Sequence, residues 1–469
     1  MKVKILAIGG GLASFGFVDA LRSNGVSRDD IRVVGEYPKP YSKFKERCQN
    51  SGITMNDRLR SDSSATPGNI WGWPTFGMRE TYSLARRGRL VQSLKLIGKL
   101  FSEPIFGDVY TPKLSQLTTA IDRECERIGY DEMLVRGSVS GVSKTPDGWR
   151  VTFAEPDGKE MTMTAEFLHV ATGFQGNKHS PDHQHIVSKF GKIYSHVYDN
   201  HEHIYKLAES VGGTVVIRGR GIAASRVLER LLQITEKQPK LKVVHLMNSK
   251  LDDKGAPVRA NRRTQPFNFP KSAFGGHKAE QFIKLEKENR KDFIDSFGQT
   301  TTPVRKHWTK LMKQASKRGQ YSIHIAALTA DKDRIYTNPI EVLAELKDLV
   351  GFIDATGLIR DPQSMGIFRT LIDSGDVEFD DNDYLQLSES CEVMVSQQFK
   401  SNLFVGGNLA LGGPHSPADS FSGINFNGHI VANEVVKRLE MRKHYKSTVI
   451  DSPFTSFTAW LKWARGITP

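Results

Sequence analysis

The sequence predicts an α/β fold with two Rossmann-like domains and an inserted antiparallel piece. The chain contains two separate copies of one unit, in which an apolar strand runs into a glycine turn that opens a helix. The first copy covers Val3 to about Arg22, and the second covers Thr214 to about Leu232. The antiparallel piece is indicated by two strands, Val135 to Ser143 and Trp149 to Phe153, which a Pro-Asp-Gly turn joins.

Length and composition are typical of a globular protein with two or three domains. The chain has 469 residues, of which 38% are hydrophobic and 9% aromatic. No window reaches the roughly 20 consecutive apolar residues that a membrane-spanning helix needs. The apolar stretch Lys4 to Ile8 runs into glycines and not into a cleavage site, so we expect a buried strand in a cytoplasmic protein.

The cysteines and the net charge limit which kinds of site and partner are expected. Cys48, Cys125 and Cys391 are widely spaced and form no CxxC pair, so we expect neither a metal site nor a redox disulfide. The net charge of +13 indicates an anionic partner, which a cofactor with several phosphates satisfies. Because no nucleic-acid reader motif occurs, nucleic acid is the weaker interpretation and is not expected.

The first glycine turn, Gly9 to Ser14, has the features of a pyrophosphate-binding turn. Gly9 permits a sharp exit from the strand, and Gly11 lets the following amides approach a phosphate at the positive end of the helix. The next strand ends near Glu36, where an acid binds the ribose hydroxyls of adenosine and disfavours a 2′-phosphate. The alternative is a tight turn without a ligand, but this context predicts FAD or NAD. The predicted contacts are Gly9, Gly11, Leu12, Ala13, Ser14 and Glu36.

The second glycine turn differs in its charges. The strand that follows it, Leu241 to Met247, leads into Asn248-Ser249-Lys250 and not into an acid, while Arg218, Arg220 and Arg226 surround the turn. These residues suit a 2′-phosphate and therefore favour NADPH over NADH. Alternatively, Arg226 and Lys250 are solvated surface charges. The predicted NADPH contacts are Gly219, Arg220, Gly221, Ile222, Ala223, Ala224, Ser249 and Lys250.

Two later strands, His169 to Phe174 and Ile353 to Leu358, each end in Ala-Thr-Gly. With the two glycine turns, this order of parts resembles the two-dinucleotide-binding flavoproteins, in particular the class B-like flavin monooxygenases that include N-hydroxylating and Baeyer-Villiger enzymes. The resemblance runs from Lys2 to about Val436 and is carried by short motifs. In that family the Ala-Thr-Gly turns mark the crossings between the FAD and NADPH domains, which implies that Thr172 and Gly173 lie near FAD.

The resemblance implies a discontinuous FAD-binding domain built from both parts of the chain. We expect it to comprise residues 1–200 and 346–450, with an NAD(P)H-binding domain at 205–345 and a tail at 451–469. Residues 252–345 are polar, basic and poor in strand signals, which indicates an elaborated domain.

A segment near the end of the chain, Leu403 to Asn408, resembles the second FAD motif of the family. In that motif a strand ends at Gly-Asp and the acid contacts the ribityl chain. Here Gly407 is followed by Asn408, which can still donate and accept hydrogen bonds but has no charge. The helix after it has amides that would face the flavin pyrimidine, although a plain capped helix is the alternative. The residues implied are Gly407, Asn408, Gly423, Ile424 and Asn425.

Several further residues are implied around the flavin. Arg58, Arg60, Trp71 and Val139 are candidates for FAD contacts, with a core position as the alternative for the tryptophan. His415 follows the second FAD motif and is the first candidate for contact with substrate or flavin.

Two loops resemble family motifs more loosely. Gln265 to Lys271 resembles a loop by which N-hydroxylating enzymes meet NADPH and substrate, which makes Asn268 a second catalytic candidate; loop chemistry alone explains it as well. Phe190 to His196 resembles the monooxygenase linker fingerprint with altered spacing, and a loop histidine is the alternative.

Two basic, partly apolar segments, Leu84 to Phe101 and Phe454 to Trp463, suit a membrane surface or a partner protein, although packing on their own domain is the alternative. For the whole chain, the resemblance implies an FAD-dependent oxidoreductase, an NADPH-dependent monooxygenase that acts on a small molecule. The alternatives are an FAD oxidase or dehydrogenase that does not use NADPH, and a flavin-binding regulatory or assembly protein. No sequence pattern specifies the substrate or the oligomeric state.

Overall fold

The fold is described from a computed structural model. It describes residues 1–59, 76–106, 110, 112–179, 183–219, 221–247, 306–325, 348–359, 361–380, 383–398, 400–413, 418–419 and 421–441. Within these residues, no helix has the length and apolar character needed to cross a membrane.

Strands and helices alternate along most of the described chain. The strands are β1 (Lys2–Ile8), β2 (Ile31–Gly35), β3 (Leu134–Arg136), β4 (Ser138–Thr145), β5 (Gly148–Ala154), β6 (Glu160–Val170), β7 (Tyr194–His196), β8 (Gly213–Arg218), β9 (Leu241–Met247), β10 (Tyr321–Ile325), β11 (Leu349–Asp354) and β12 (Leu403–Val405). The helices are α1 (Leu12–Ser23), α2 (Ser42–Asn50), α3 (Phe76–Arg86), α4 (Leu90–Phe106), α5 (Leu114–Ile128), α6 (Tyr130–Met133), α7 (His183–Phe190), α8 (Glu202–Ser210), α9 (Ile222–Thr235), α10 (Lys306–Lys317), α11 (Arg369–Asp373) and α12 (Phe421–Arg438).

The first sheet is parallel at its centre and antiparallel at one side. Its order is β3-β2-β1-β6-β5-β4, and β12 pairs in parallel with the last residues of β6. The central strand β1 is continuously buried from Ile5 to Ile8, as expected for a parallel strand covered on both faces. One covering layer contains α1 and α12, whose backbones approach closely: a Cβ on Gly428 would lie 2.8 Å from the carbonyl carbon of Gly16. The first sheet and its helices thus bring both ends of the described chain together.

The second sheet is parallel throughout, in the order β10-β9-β8-β11-β7. Its core is formed by apolar side chains of β8, β9 and α9, among them Val215, Ile217, Val227, Leu231 and Val243. The predicted α/β class with mainly parallel sheet is therefore confirmed.

Three predicted elements differ from the structure. The basic segment Leu84 to Phe101, which is predicted from the sequence as one unit, contains the end of α3, a turn and most of α4, since Gly88 adopts a left-handed φ of 73°. The expected strand Val135 to Ser143 is two strands, β3 and β4, separated by Gly137. The polar region that lacked strand signals contains β10, which completes the edge of the second sheet beside β9.

Candidate functional site

The first glycine turn packs directly on the first Ala-Thr-Gly segment. Gly9 has a φ of 92°, and its amide donates a hydrogen bond of 2.8 Å to the carbonyl oxygen of Val34. A Cβ on Gly9 would lie 2.4 Å from the carbonyl oxygen of Ala171, so a side chain at this position would collide with the backbone. Both the backbone conformation and the close approach therefore require glycine here.

The third residue of this turn leaves open space in front of a helix. Gly11 is the N-cap of α1, no side chain caps the helix, and a Cβ on Gly11 would meet no atom within 4 Å. The first amides of α1 can therefore receive an anion. Ser14 is buried between helix and strand, and its hydroxyl donates to the carbonyl oxygen of Ile8 at 3.4 Å. Its small size allows α1 to pack against β1, as the sequence indicates.

A cavity of about 940 Å³ extends from this turn. It combines the carboxyl ends of β1, β2 and β6 with residues that follow β11 and β12, which is where ligands bind in open α/β sheets. The residues predicted for FAD that line it are Gly9, Gly11, Leu12, Ala13, Glu36, Val139, Thr172, Gly173, Gly407, Asn408 and Ile424; Ala223, predicted for NADPH, lines it too.

Among the described residues, four FAD candidates lie outside this lining: Ser14, described above, and Gly423, Asn425 and Arg58. Gly423 and Asn425 flank Ile424 in the first turn of α12, and Asn425 is buried. Arg58 forms a salt bridge of 2.9 Å with Glu80, and its guanidinium lies over the ring of Tyr110 at 4.9 Å. This arrangement joins Arg58 to α3.

At one end of the cavity, Glu36 follows β2 as the sequence predicts. The hydroxyl of Ser138 donates a 2.8 Å hydrogen bond to its carboxylate, and the guanidinium of Arg136 donates to its backbone oxygen. Ser138 and Val139, which line the same end, belong to β4. The acid is thus oriented by the neighbouring strand while part of its carboxylate remains open to a ligand hydroxyl.

At the other end of the cavity, Asn408 presents a buried amide without a partner. Its side chain is nearly inaccessible, and within the described part of the chain neither Oδ1 nor Nδ2 has a hydrogen-bond partner. An unsatisfied buried polar group costs about 1–3 kcal/mol, so such groups usually have a ligand or water as partner. A ligand with hydroxyl or carbonyl groups, such as the ribityl chain and ring of FAD, fits this end.

The second glycine turn repeats the geometry of the first. Gly219 has a φ of 128°, its amide donates to Leu246 at 3.0 Å, and a Cβ on it would lie 2.4 Å from the carbonyl oxygen of Ala355. Gly221 is the N-cap of α9, and a Cβ there would meet nothing within 4 Å. Each first glycine therefore packs on the alanine of one Ala-Thr-Gly segment. The predicted residues Ile222, Ala223 and Ala224 form the first turn of α9.

The second glycine turn is hydrogen-bonded to a buried histidine on β9. His245 on β9 is buried; its Nε2 donates to the carbonyl oxygen of Gly219 at 2.6 Å, and its Nδ1 accepts from the hydroxyl of Tyr321 at 3.1 Å. Burial lowers the pKa of His245, so the neutral imidazole is favoured in the fold. This histidine is a positioning residue for the turn.

The arginines near the second turn are already engaged with other groups. The guanidinium of Arg218, at the end of β8, lies 5.2 Å from the ring centre of Phe352. Arg226 on α9 is largely buried and forms ion pairs with Asp57 at 3.6 Å and with Glu229 at 3.4 Å. Arg226 is therefore neither a solvated surface charge nor a cation reserved for a phosphate; it links α9 to the segment after α2.

Aromatic and charged side chains form a cluster on the neighbouring strands β7 and β11 of the second sheet. Tyr194 donates to Asp354 at 3.2 Å, and His179 contacts the Tyr194 hydroxyl at 3.3 Å. Burial lowers the pKa of His196 to about 4, and burial raises the pKa of Asp354. The linker histidine His196 is thus a buried, neutral side chain.

Solved structures similar to this chain include hydroxylases and flavin monooxygenases. The ornithine hydroxylase from Pseudomonas aeruginosa matches with a TM-score of 0.62 and 13% identity over 94% of this chain and 100% of its own. An ornithine N-hydroxylase from Kutzneria, solved with reduced FAD, NADP⁺ and L-ornithine, has the same values. A cadaverine monooxygenase from Erwinia amylovora, solved with FAD, matches with a TM-score of 0.63 and 12% identity over 95% and 97%.

This chain has the fold of flavin-dependent N-hydroxylating monooxygenases. The predicted resemblance is therefore confirmed at the level of the fold. No protein-family model and no curated protein sequence matches the chain.

Sequence reasoning missed several cavity residues on and around α2. Arg47 lines the cavity with its guanidinium 5.8 Å from the ring centre of Phe174, and burial lowers its pKa. Cys48 lines it as well, and burial raises the pKa of its thiol to about 12. The signal available was position: α2 begins six residues after Glu36, which itself lines the cavity.

Some predicted residues lie outside the described residues, namely Arg60, Trp71, Arg220, Ser249, Lys250, Asn268 and His415. Within the described ranges, no group of three His, Cys, Asp or Glu side chains is placed to hold a metal ion.

Proposed function

We propose that this protein is an FAD-dependent oxidoreductase that uses NADPH and acts as a monooxygenase on a small molecule. The observation that carries the proposal is the equivalence of Gly9 and Gly219. A Cβ added at either glycine would lie 2.4 Å from the alanine carbonyl oxygen of an Ala-Thr-Gly segment, and each turn is followed by an open, uncapped helix N-terminus. Two such turns in one chain match two dinucleotides. The fold shared with FAD- and NADP-containing hydroxylases supports this reading.

FAD fits the cavity at the first turn. The amides of Leu12, Ala13 and Ser14 would bind its pyrophosphate, and Glu36 would accept hydrogen bonds from the adenosine ribose. Asn408 would bind the ribityl chain, which would satisfy its buried amide. The N-terminus of α12 at Ile424 would face the isoalloxazine ring. The FAD domain would then comprise 1–200 and 346–450, with β4, β5 and the start of β6 as an antiparallel insertion.

NADPH fits the second turn, in a domain of residues 205–345 followed by a tail at 451–469. The amides of Ile222, Ala223 and Ala224 would bind its pyrophosphate. His245 would keep the carbonyl of Gly219 turned away from the phosphates by its hydrogen bond. Since Ala223 also lines the FAD cavity, the two dinucleotide sites would adjoin.

When bound, FAD would supply the redox chemistry by accepting a hydride from NADPH and then reacting with oxygen. The protein would orient the two cofactors and exclude water from the space between them. The two crossing segments contribute Gly173, Phe174, Gly357 and Leu358 to the cavity wall and so would enclose this space. Ornithine, lysine and cadaverine, named for the similar structures, are the first substrates to test.

Spectroscopy of the purified protein tests the proposal. We expect visible absorbance of oxidised flavin that disappears on addition of NADPH, and faster than on addition of NADH. With a correct amine, oxygen consumption should rise without a matching release of hydrogen peroxide. Failure of both nucleotides to reduce the flavin would contradict the monooxygenase and leave an oxidase or dehydrogenase without NADPH, or a regulatory protein. Peroxide release equal to oxygen consumption with every substrate would indicate an oxidase.

A further inference from the structure

The helical hairpin formed by α3 and α4 exposes an apolar surface at its tip. Leu90, Val91 and Leu94 on α4 are 61%, 67% and 67% exposed, and Tyr82 on α3 is 69% exposed. Spacing of one and four residues places the three aliphatic side chains on one face of α4. Isolated apolar side chains on a surface are ordinary, but several exposed ones around a single helix–helix turn indicate an interaction site. We call these four side chains the apolar tip.

A hydrogen bond joins the two helices behind the apolar tip, and cations surround it. Ser93 donates to the carbonyl oxygen of Thr81 at 3.0 Å, which joins the two helices behind it. No Asp or Glu occurs between Glu80 and Glu103. The exposed cations beside the tip form no salt bridge within the described part of the chain; they are Arg86, Arg87, Arg89 and Lys95.

The combination of an exposed apolar tip with surrounding cations distinguishes among the partners that could bind this surface. In a symmetric contact between two copies, the same surface meets itself, so Arg86, Arg87 and Arg89 would face their own counterparts and repel them. An anionic lipid surface complements both features, because its headgroups attract cations while Leu, Val and Tyr side chains enter the boundary with the acyl chains. The net charge of +13 adds attraction at longer range.

We propose that the tip of the α3–α4 hairpin docks this protein on an anionic membrane surface. The contact is peripheral, with the apolar tip inserted at headgroup depth and the neighbouring cations on the lipid phosphates. It is independent of the cofactor sites, since no tip residue lines the cavity.

Vesicle flotation of the full chain tests this proposal. The probes are vesicles of phosphatidylcholine alone and of phosphatidylcholine mixed with phosphatidylglycerol. We expect flotation only with the mixed vesicles, and less of it as salt is raised. The double variant Val91→Asp/Leu94→Asp should weaken partitioning by at least about tenfold, and so should the triple variant Arg86→Gln/Arg87→Gln/Arg89→Gln, at about fivefold per removed charge.

Matched controls come from α8, the residue that follows it, and the loop between α9 and β9. Val211, which is 58% exposed, becomes aspartate in one control, and Lys206, Lys237 and Lys240 become glutamine in another. Controls that float like the unaltered protein support the tip. No flotation of the unaltered chain with anionic vesicles overturns the proposal, and so does equal loss in tip and control variants. Self-association that the tip variants abolish, without flotation, would instead identify a contact between copies.

Discussion

The carbonyl oxygen of Ala171 lies 2.4 Å from the position that a Cβ on Gly9 would occupy. Ala171 directly follows strand β6, so the end of this strand packs closely against the turn that follows β1. Gly219 and Ala355 repeat the relationship at the same distance. One local contact therefore explains why a glycine turn and an Ala-Thr-Gly segment, far apart in the chain, occur together twice.

The first prediction separates the two glycines of the first turn. Gly9→Ala should lower the free energy of unfolding by more than about 2 kcal/mol, because it combines a strained φ with a backbone collision. Gly11→Ala should leave the stability of the apoprotein nearly unchanged but weaken FAD binding about tenfold, since its methyl group enters the phosphate space. Denaturant titration and flavin fluorescence measure the two effects. Equal destabilisation by both substitutions would contradict the geometry.

The second prediction tests whether the second glycine turn binds NADPH. Gly221→Ala should raise the KM for NADPH by about tenfold while flavin content stays the same, because the methyl group obstructs only the second phosphate site. Steady-state reduction kinetics at varied NADPH check this, with Gly11→Ala as the reciprocal control. A loss of flavin from Gly221→Ala would show that the two sites are not separate.

The third prediction concerns Asn408. Asn408→Leu removes a buried amide without a partner and should stabilise the apoprotein by about 1–3 kcal/mol, provided the similar volume is accommodated. The same substitution should weaken FAD binding, because the ligand loses its polar partner. Asn408→Asp is the matched polar variant and should retain binding better than leucine. Thermal unfolding with and without FAD distinguishes the cases, and a destabilised apoprotein that binds FAD normally would refute the role.

The fourth prediction is a pH dependence located at Asp19. This carboxyl is buried beside Glu124 and Arg127; burial and then the charge of Glu124 raise its pKa well above the usual value. A raised folded-state pKa means that the folded protein binds protons more tightly than the unfolded chain at this carboxyl. The resulting contribution to the free energy of unfolding is fully present below about pH 3.9 and is lost as pH rises towards the raised pKa.

Asp19→Asn imitates the protonated acid. The variant should therefore be more stable than the unaltered protein at neutral pH, and the difference should vanish at low pH. Melting temperatures across the pH range measure it. Asp376→Asn is a control with the opposite sign, since hydrogen bonds from Ser374 and Ser396 lower the pKa of Asp376. This variant should be less stable than the unaltered protein at neutral pH. A stability difference for Asp19→Asn that is independent of pH would contradict the assignment.

Much of the architecture could be predicted from the sequence because it depends on local patterns. The boundaries of β9 agree with the predicted strand Leu241 to Met247, and the two glycine turns lie where strand and helix patterns meet. The edge strand β10 was missed although Tyr321, Ile323 and Ile325 alternate with polar residues, because it has only five residues within a long polar region and its position depends on pairing with β9.

The candidate site was only partly readable. The lining by Gly9, Glu36, Thr172 and Asn408 follows from motifs at strand ends. The partners of charged side chains do not follow from sequence, because an ion pair depends on which helix faces which: Arg58 pairs with Glu80, and Arg226 with Asp57.

The sequence by itself determined that two strand–turn–helix units and two Ala-Thr-Gly segments are present, since strand periodicity and glycine requirements are properties of neighbouring residues. Only the tertiary structure decided that Ala171 packs on Gly9 and Ala355 on Gly219, that Arg47 lines the cavity, and that Leu90 and Leu94 are exposed. These facts depend on contacts between distant segments and on which face each helix buries, and neither is encoded in a local pattern.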